Sequence, residues 1–166
     1  MQLRNATEAD LREIVRLERG DEASRYVGQW GEERHRAALT GGDACYLVVD
    51  DPAGGLAAYA ILRGLAEADR AVELKRVVVG RPGRGLGKKL LTELIRMTFE
   101  DLHAHRLFLD VFGDNARAQH LYTSLGFALE GTMRDAASRD GEWHDLRLMS
   151  MLESEYRERR SSTGAA

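Results

Sequence analysis

The chain has 166 residues, 43% of them hydrophobic, with 27 acidic against 24 basic side chains and a formal charge of −3, which suits one domain with a core of its own. Its single cysteine, Cys45, cannot form an internal bridge, which fits a reducing compartment. No apolar run has signal-peptide length or approaches the roughly 20 residues of a spanning helix, so the expectation is a cytoplasmic protein without membrane association.

Residues 2–6 read as a short first strand, and Thr7 with Asp10 resembles a capping box opening a helix that carries Leu11, Ile14, Val15 and Glu18 in register. A second helix is expected over residues 31–39, closed by Gly41 and Gly42. Residues 44–49 form a buried strand, residues 51–55 a turn, and residues 56–62 its antiparallel partner. The strand of residues 72–79 runs into a glycine-rich turn, and a long amphipathic helix comes next with Leu90, Leu91, Leu94, Ile95, Thr98 and Leu102 on one side. Residues 107–111 are a strand and residues 116–125 a helix capped by Gly126. Residues 127–134 and 143–151 form a terminal hairpin about residues 139–142, and residues 157–166 form a frayed tail beyond a domain of residues 1–156. Strands at both ends with strand–helix–strand units between them predict an α/β domain on a mixed sheet.

Charge is unevenly placed. From Leu74 to Thr92 there are six cations (Lys75, Arg76, Arg81, Arg84, Lys88 and Lys89) and no acid, so this segment carries +6 and the remainder 18 minus 27, or −9. A compact cationic site on an acidic body argues against a nucleic-acid or membrane surface and for one anionic ligand. Gly83, Gly85 and Gly87 lie between a strand and a helix, where backbone N–H groups can converge on phosphate oxygens. The helix then opens on Lys88 and Lys89, cations that oppose its dipole unless an anion is bound. A Walker A loop would need a glycine at Pro82 and a Ser or Thr at Lys89, and a dinucleotide fingerprint would need a glycine at Lys88 or Leu90. Both nucleotide readings fall, and a tight turn with solvated lysines is the alternative to a phosphate cradle.

Several further segments occur together with this loop. They are the strand of residues 73–79, the strand of residues 107–111, Asn115-Ala116-Arg117-Ala118 running into Leu121-Tyr122, and Gly126-Phe127. With Gly83-Arg84-Gly85-Leu86-Gly87, these resemble the GCN5-related N-acetyltransferase (GNAT) family over about residues 3–156. The ending from Glu130 to Asp145 is similar to the branch holding ribosomal-protein N-terminal and polyamine acetyltransferases.

The resemblance implies a single-domain fold with a mixed, mostly antiparallel twisted sheet flanked by helices, and acetyl-CoA-dependent N-acetyltransferase activity on a primary amine. It implies a CoA pyrophosphate on Gly83, Arg84, Gly85, Leu86, Gly87 and Lys88, and a pantetheine arm along Val77, Val78 and Val79. A backbone N–H near Val77 or Val78 would be the oxyanion donor. Asn115 would cap its helix and bond the pantetheine arm. Glu73 is the candidate base, with a salt bridge to Arg76 or Arg63 as the alternative, and Tyr122 is the candidate acid, with a core aromatic as the alternative. The family's loop carries Gln or Arg where Pro82 stands, so that contact does not carry over and Arg81 or Arg84 would replace it. The acceptor would be a small amine, a polyamine or a protein N-terminus, and homodimers are common in the family. A non-catalytic CoA-binding module of the same fold is the competing reading. No CxxC, HExxH or Gly-x-Ser-x-Gly pattern occurs, so neither a metal site nor a serine nucleophile is expected.

Overall fold

A computed structural model describes residues 1–163. The strands are β1 (Leu3–Asn5), β2 (Ala44–Asp50), β3 (Leu56–Arg63), β4 (Ala71–Val79), β5 (Arg106–Phe112), β6 (Ala128–Arg139) and β7 (Glu142–Leu152). They form one sheet in the order β1-β2-β3-β4-β5-β7-β6, antiparallel throughout except for the β4–β5 pair. The helices are α1 (Leu11–Glu18), α2 (Ala23–Tyr26), α3 (Glu32–Thr40), α4 (Leu86–Arg96), α5 (Ala116–Leu125) and α6 (Glu153–Thr163). This is the mixed, mostly antiparallel α/β architecture expected from the sequence. No helix among the described residues is long and apolar enough to cross a membrane.

Helix α1 begins as the sequence suggests. The Thr7 N–H donates to Asp10 Oδ2 at 2.7 Å, a 3₁₀ turn over Glu8–Asp10 leads in, and Leu11, Ile14, Leu17 and Glu18 point inward. β2 and β3 hold uninterrupted buried runs, residues 46–49 and 58–62, because helices cover both faces of the sheet there. On one face α4 sets Leu90, Leu91, Leu94 and Ile95 against β4, β5 and β7; on the other, α1 packs on Tyr46, Val48, Tyr59 and Ile61.

Two irregularities in β4 set the shape of the middle of the sheet. Ile61 pairs with Arg76 and Leu62 with Leu74, so Lys75 is the extra residue of a β-bulge. The bulge shifts the alternation: Val72 and Leu74 before it, and Val77 and Val79 after it, pack toward α4, while Arg76 turns into the α1 side beside Glu18. The second irregularity is that β4 and β5 pair only over residues 71–73 and 106–108. Beyond Glu73 the two parallel strands separate into a V.

Some elements differ from expectation. β6 continues to Arg139, five residues past its expected end, and the hairpin closes on Asp140 and Gly141, both with positive φ (53° and 82°), a two-residue turn suited to strand twist. Two register shifts within the β6–β7 pairing and a left-handed Asp135 hide the strand period from the sequence. The stretch expected to fray from Arg157 belongs instead to α6, anchored where Tyr156 stacks on Phe99 at 4.9 Å and bonds Glu100 at 2.5 Å. Residues 164–166 of that expectation lie outside the described residues.

Candidate active site

The V between β4 and β5 opens into a cleft of about 490 Å³. Its floor is the edge of β4. Val77, Val78 and Val79 pair with Ala60, Tyr59 and Ala58 of β3 on one side, and no strand of the described residues meets them on the other. Main-chain groups on that edge are therefore available to an extended ligand. One end of the cleft is the glycine loop, where Gly83 (φ 89°) and Gly85 (φ 75°) occupy left-handed conformations closed to most side chains. Gly85 is also the N-cap of α4 and supplies no side-chain cap. The first intrahelical bond is from the Lys89 N–H to the Gly85 carbonyl at 3.1 Å, which leaves the amides of Leu86, Gly87 and Lys88 uncapped. There is no acid in this first turn. Uncapped amides, the positive end of the helix dipole and Lys88, unpaired among the described residues, suit a phosphate group. Gly87 itself needs no special backbone, since a Cβ there would make only an ordinary 3.6 Å contact with Val79.

The far wall is the start of α5. Asn115 caps it, its Oδ1 accepting the Ala118 N–H at 3.1 Å and leaving the amide NH₂ free to donate. Tyr122 lies on the face of α5 toward the cleft, its ring against Phe127 at 5.7 Å, its hydroxyl without a hydrogen bond among the described residues. Burial, reinforced by the charge of Asp110, pushes this phenol up to about 12. It stays protonated through neutral pH, able to donate and unable to act as a base.

Of the residues singled out from sequence, Val77, Val78, Val79, Gly83, Gly85, Leu86, Gly87, Lys88, Asn115 and Tyr122 all line this one cleft. Arg84 does not; it faces a neighbouring depression beside Arg16 and the β2–β3 turn, whereas Arg81 lines the cleft. Lys88 lines it and Lys89 does not. Glu73 sits where β4 is still paired to β5, opposite Phe108, and its Oε1 holds Lys75 Nζ at 3.1 Å rather than Arg76 or Arg63.

The structure adds Asp110, two residues beyond Phe108 on β5 and so on the face shared with Glu73. Its carboxyl makes no hydrogen bond or ion pair among the described residues; partial burial raises its pKa, Lys75 lowers it and Glu73 raises it. An alternating strand with one acid reads as an ordinary solvent-facing position, and Asp110 is exposed; what ties it to the site is its charge acting on Tyr122. α2 also escapes a reading of the sequence, though its Tyr26 and the adjacent Val27 line the cleft.

The remaining polar features are structural. Trp30 is held between Arg34 and Arg76, each 4.1 Å from its ring, and Trp143 is exposed on β7. Cys45 is half-buried with its thiol pKa pushed up by burial.

The chain matches the family model of the acetyltransferase (GNAT) family over residues 8–127. It is 27% identical over 110 residues to a spermidine N(1)-acetyltransferase of Vibrio cholerae, covering 66% of this chain and 64% of that one. It is 39% identical over 69 residues to the L-amino acid N-acetyltransferase AaaT of Escherichia coli, covering 42% and 43%. The chain thus matches less than two thirds of the length of these curated relatives. Its fold superposes, with a TM-score of 0.82 and 25% identity over 93% of this chain and 96% of the other, on the crystal structure of the Vibrio cholerae spermidine N-acetyltransferase in complex with CoA and spermine. The loop, the open strand edge and the capped α5 therefore belong to a member of the GNAT acetyltransferase family.

Proposed function

We propose that the chain transfers an acetyl group from acetyl-CoA to a primary amine, the acceptor being a small amine or a protein N-terminus. One observation carries this reading: the uncapped amides of α4 and the unpaired edge of β4 are consecutive along a single cleft. The first suits a pyrophosphate and the second an extended chain of amides, which is the order of groups in CoA. The pyrophosphate lies on the backbone of residues 83–88 with Lys88 beside it, and Arg81 takes the place of the side chain that Pro82 removes. The pantetheine arm pairs along Val77 to Val79, and the Asn115 amide donates to it from the opposite wall.

The thioester carbonyl then lies near the Val77 and Val78 amides, one of which stabilises the tetrahedral oxyanion. The amine nitrogen attacks the carbonyl carbon, the C–S bond breaks, and the thiolate takes the Tyr122 proton. The amine must also lose a proton. Glu73 is one candidate, acting directly or through water, but its carboxylate is engaged by Lys75. Asp110 is favoured by a specific observation: it is an unpaired carboxyl whose charge reaches both Tyr122 and Lys75. Spermidine and L-amino acids, the substrates in the names of the relatives, are the first acceptors to test.

The test is thiol release from acetyl-CoA with spermidine, L-amino acids and alanine-initiated peptides. Turnover with one of them is expected, and Tyr122→Phe lowers kcat about a hundredfold with acetyl-CoA affinity unchanged. CoA binding without thiol release from any amine would leave the non-catalytic CoA module as the function.

A further inference from the structure

Helix α2 lines the cleft with few contacts of its own to fix it, Ala23 and the adjacent Val27 packing at the edge of the α1-side core. It is a single turn of four residues with no buried side chain, far short of the length at which a helix holds itself in water. Polar ties from other segments add to that packing. Arg139, the last residue of β6, donates from Nη1 to the Arg25 carbonyl at 2.9 Å and from Nη2 to Asp114 Oδ2 at 2.8 Å. The same guanidinium lies 4.9 Å from the Phe112 ring and 5.6 Å from the Tyr26 ring, which are themselves 6.0 Å apart. A second tie, Arg117 to Glu22 at 2.8 Å, is exposed on both sides. Arg139 is largely covered, with 21% of its side chain exposed, and its hydrogen bond, aided by its charge, lowers the Asp114 pKa from its ordinary value.

Arg139 therefore joins three segments distant in sequence: the tip of the β6–β7 hairpin, α2, and the turn that delivers Asn115. Phe112 is two residues beyond Asp110 on the same face of β5. Tyr26 lines the cleft, and the Tyr26–Phe112 pair forms an apolar edge beside it on the face of β5 that carries Asp110. Asn115 is itself held by its cap on the Ala118 N–H, a bond that does not involve Arg139.

We propose that Arg139 is a positioning residue for the acceptor: its fork fixes α2, and with it the Tyr26–Phe112 edge, against which the carbon chain of the amine lies. This rests on the cleft being the acetyl-transfer site. A lysine cannot replace it, because one ammonium does not bond a carbonyl and a carboxylate in the same planar fork while stacking on two rings.

The experiment compares wild type, Arg139→Ala and Arg139→Lys by amide hydrogen exchange with no ligand present, and then by steady-state kinetics. In Arg139→Ala, exchange over residues 23–31 speeds by about tenfold or more while α4 and β4 are unchanged. The acceptor KM rises about tenfold and acetyl-CoA Kd changes by less than about threefold, with Arg139→Lys recovering only part of either loss. Unchanged exchange in residues 23–31 overturns the proposal whether or not the enzyme turns over. Equal losses in acceptor KM and acetyl-CoA Kd also overturn it, by showing a general structural effect. If wild type acetylates no amine, the acetyl-transfer reading fails and the proposal for the acceptor fails with it, whereas normal turnover with an unmoved acceptor KM sinks the Arg139 proposal alone.

Discussion

Removing the Arg76 side chain should destabilise the protein severely, and the structure says by how much. Glu18 is buried at the end of α1, its side chain 1% exposed, and the Arg76 side chain is 6% exposed. The carboxylate accepts from Tyr59 Oη at 2.5 Å, from the Trp30 N–H at 3.1 Å and from Arg76 Nη1, with His35 Nε2 3.1 Å away. Burial alone pushes Glu18 up, but His35, Tyr59, Arg76 and Trp30 together outweigh it and hold the carboxyl below its ordinary value. In Arg76→Leu this charge stays buried without its cation, a loss of about 3–5 kcal/mol. The cation–π contact with Trp30 adds roughly 1 kcal/mol, which the leucine side chain partly offsets. A net cost of about 4 kcal/mol is a large fraction of a total of roughly 5–15 kcal/mol, and corresponds to a fall in Tm on the order of 10 °C. Glu18→Gln, which keeps the shape and removes the charge, should cost about 2 kcal/mol. The double variant should cost less than the sum of the two by at least about 1.5 kcal/mol. Urea unfolding followed by tryptophan fluorescence measures all three. A cost below about 1 kcal/mol for Arg76→Leu, or additive single costs, would refute the buried-pair reasoning.

Three further outcomes are expected. Lys88→Ala should weaken acetyl-CoA binding by roughly five- to tenfold at low salt and less at high salt, while Lys89→Ala, outside the cleft, should change it by less than about twofold; calorimetric titration distinguishes them. If Asp110 takes the amine proton, its raised pKa shifts the acidic limb of the kcat profile upward from the ordinary aspartate value, and Asp110→Asn abolishes that limb while Glu73→Gln leaves it in place; the reverse result assigns the proton to Glu73. Asp10 is lowered from 3.8 to about 2, first by its bond to Arg4, so its contribution is complete above pH 3.8 and is lost as pH falls toward 2. Because Arg4 is 37% exposed the pair contributes only about 1 kcal/mol, and Arg4→Met should remove that part of the stability difference between pH 7 and pH 2 in urea titrations.

Much of the fold is legible in the sequence because its signals are local. The Thr7–Asp10 box, the apolar runs of β2 and β3 and the inward stripe of α4 each declare an element within about a dozen residues. The donor half of the site is legible for the same reason, since the glycines, the lysine after them, Asn115 and Tyr122 lie in contiguous stretches that the fold then brings to one cleft. The features that escape depend on tertiary pairing. The Lys75 bulge exists only relative to β3, and Asp110 matters only through its charge acting on Tyr122 of α5. α2 has too few residues for a period, and its ties come from Arg117 and Arg139, about 95 and 114 residues away. α6 reads as a tail because its arginines, glutamates and serines carry no apolar stripe beyond Tyr156, whose stacking on Phe99 is a tertiary contact.

The short β4–β5 ladder has a mechanical meaning as well. Hydrogen bonds join four strands on one side and three on the other, but among the described residues the two groups share a ladder of only three residue pairs, with the Arg70 carbonyl accepting from His105 and Arg106 just before it. The molecule therefore has a seam. Its halves are kept in register there chiefly by the side chains of α4 and its neighbours, which tolerate small rotations better than a ladder of hydrogen bonds does. A ligand laid along the open β4 edge and touching α5 would bridge that seam and act as a missing rung. Occupancy should then stiffen the whole sheet, with protection rising in β5 and β7 as well as in the strand that the ligand contacts.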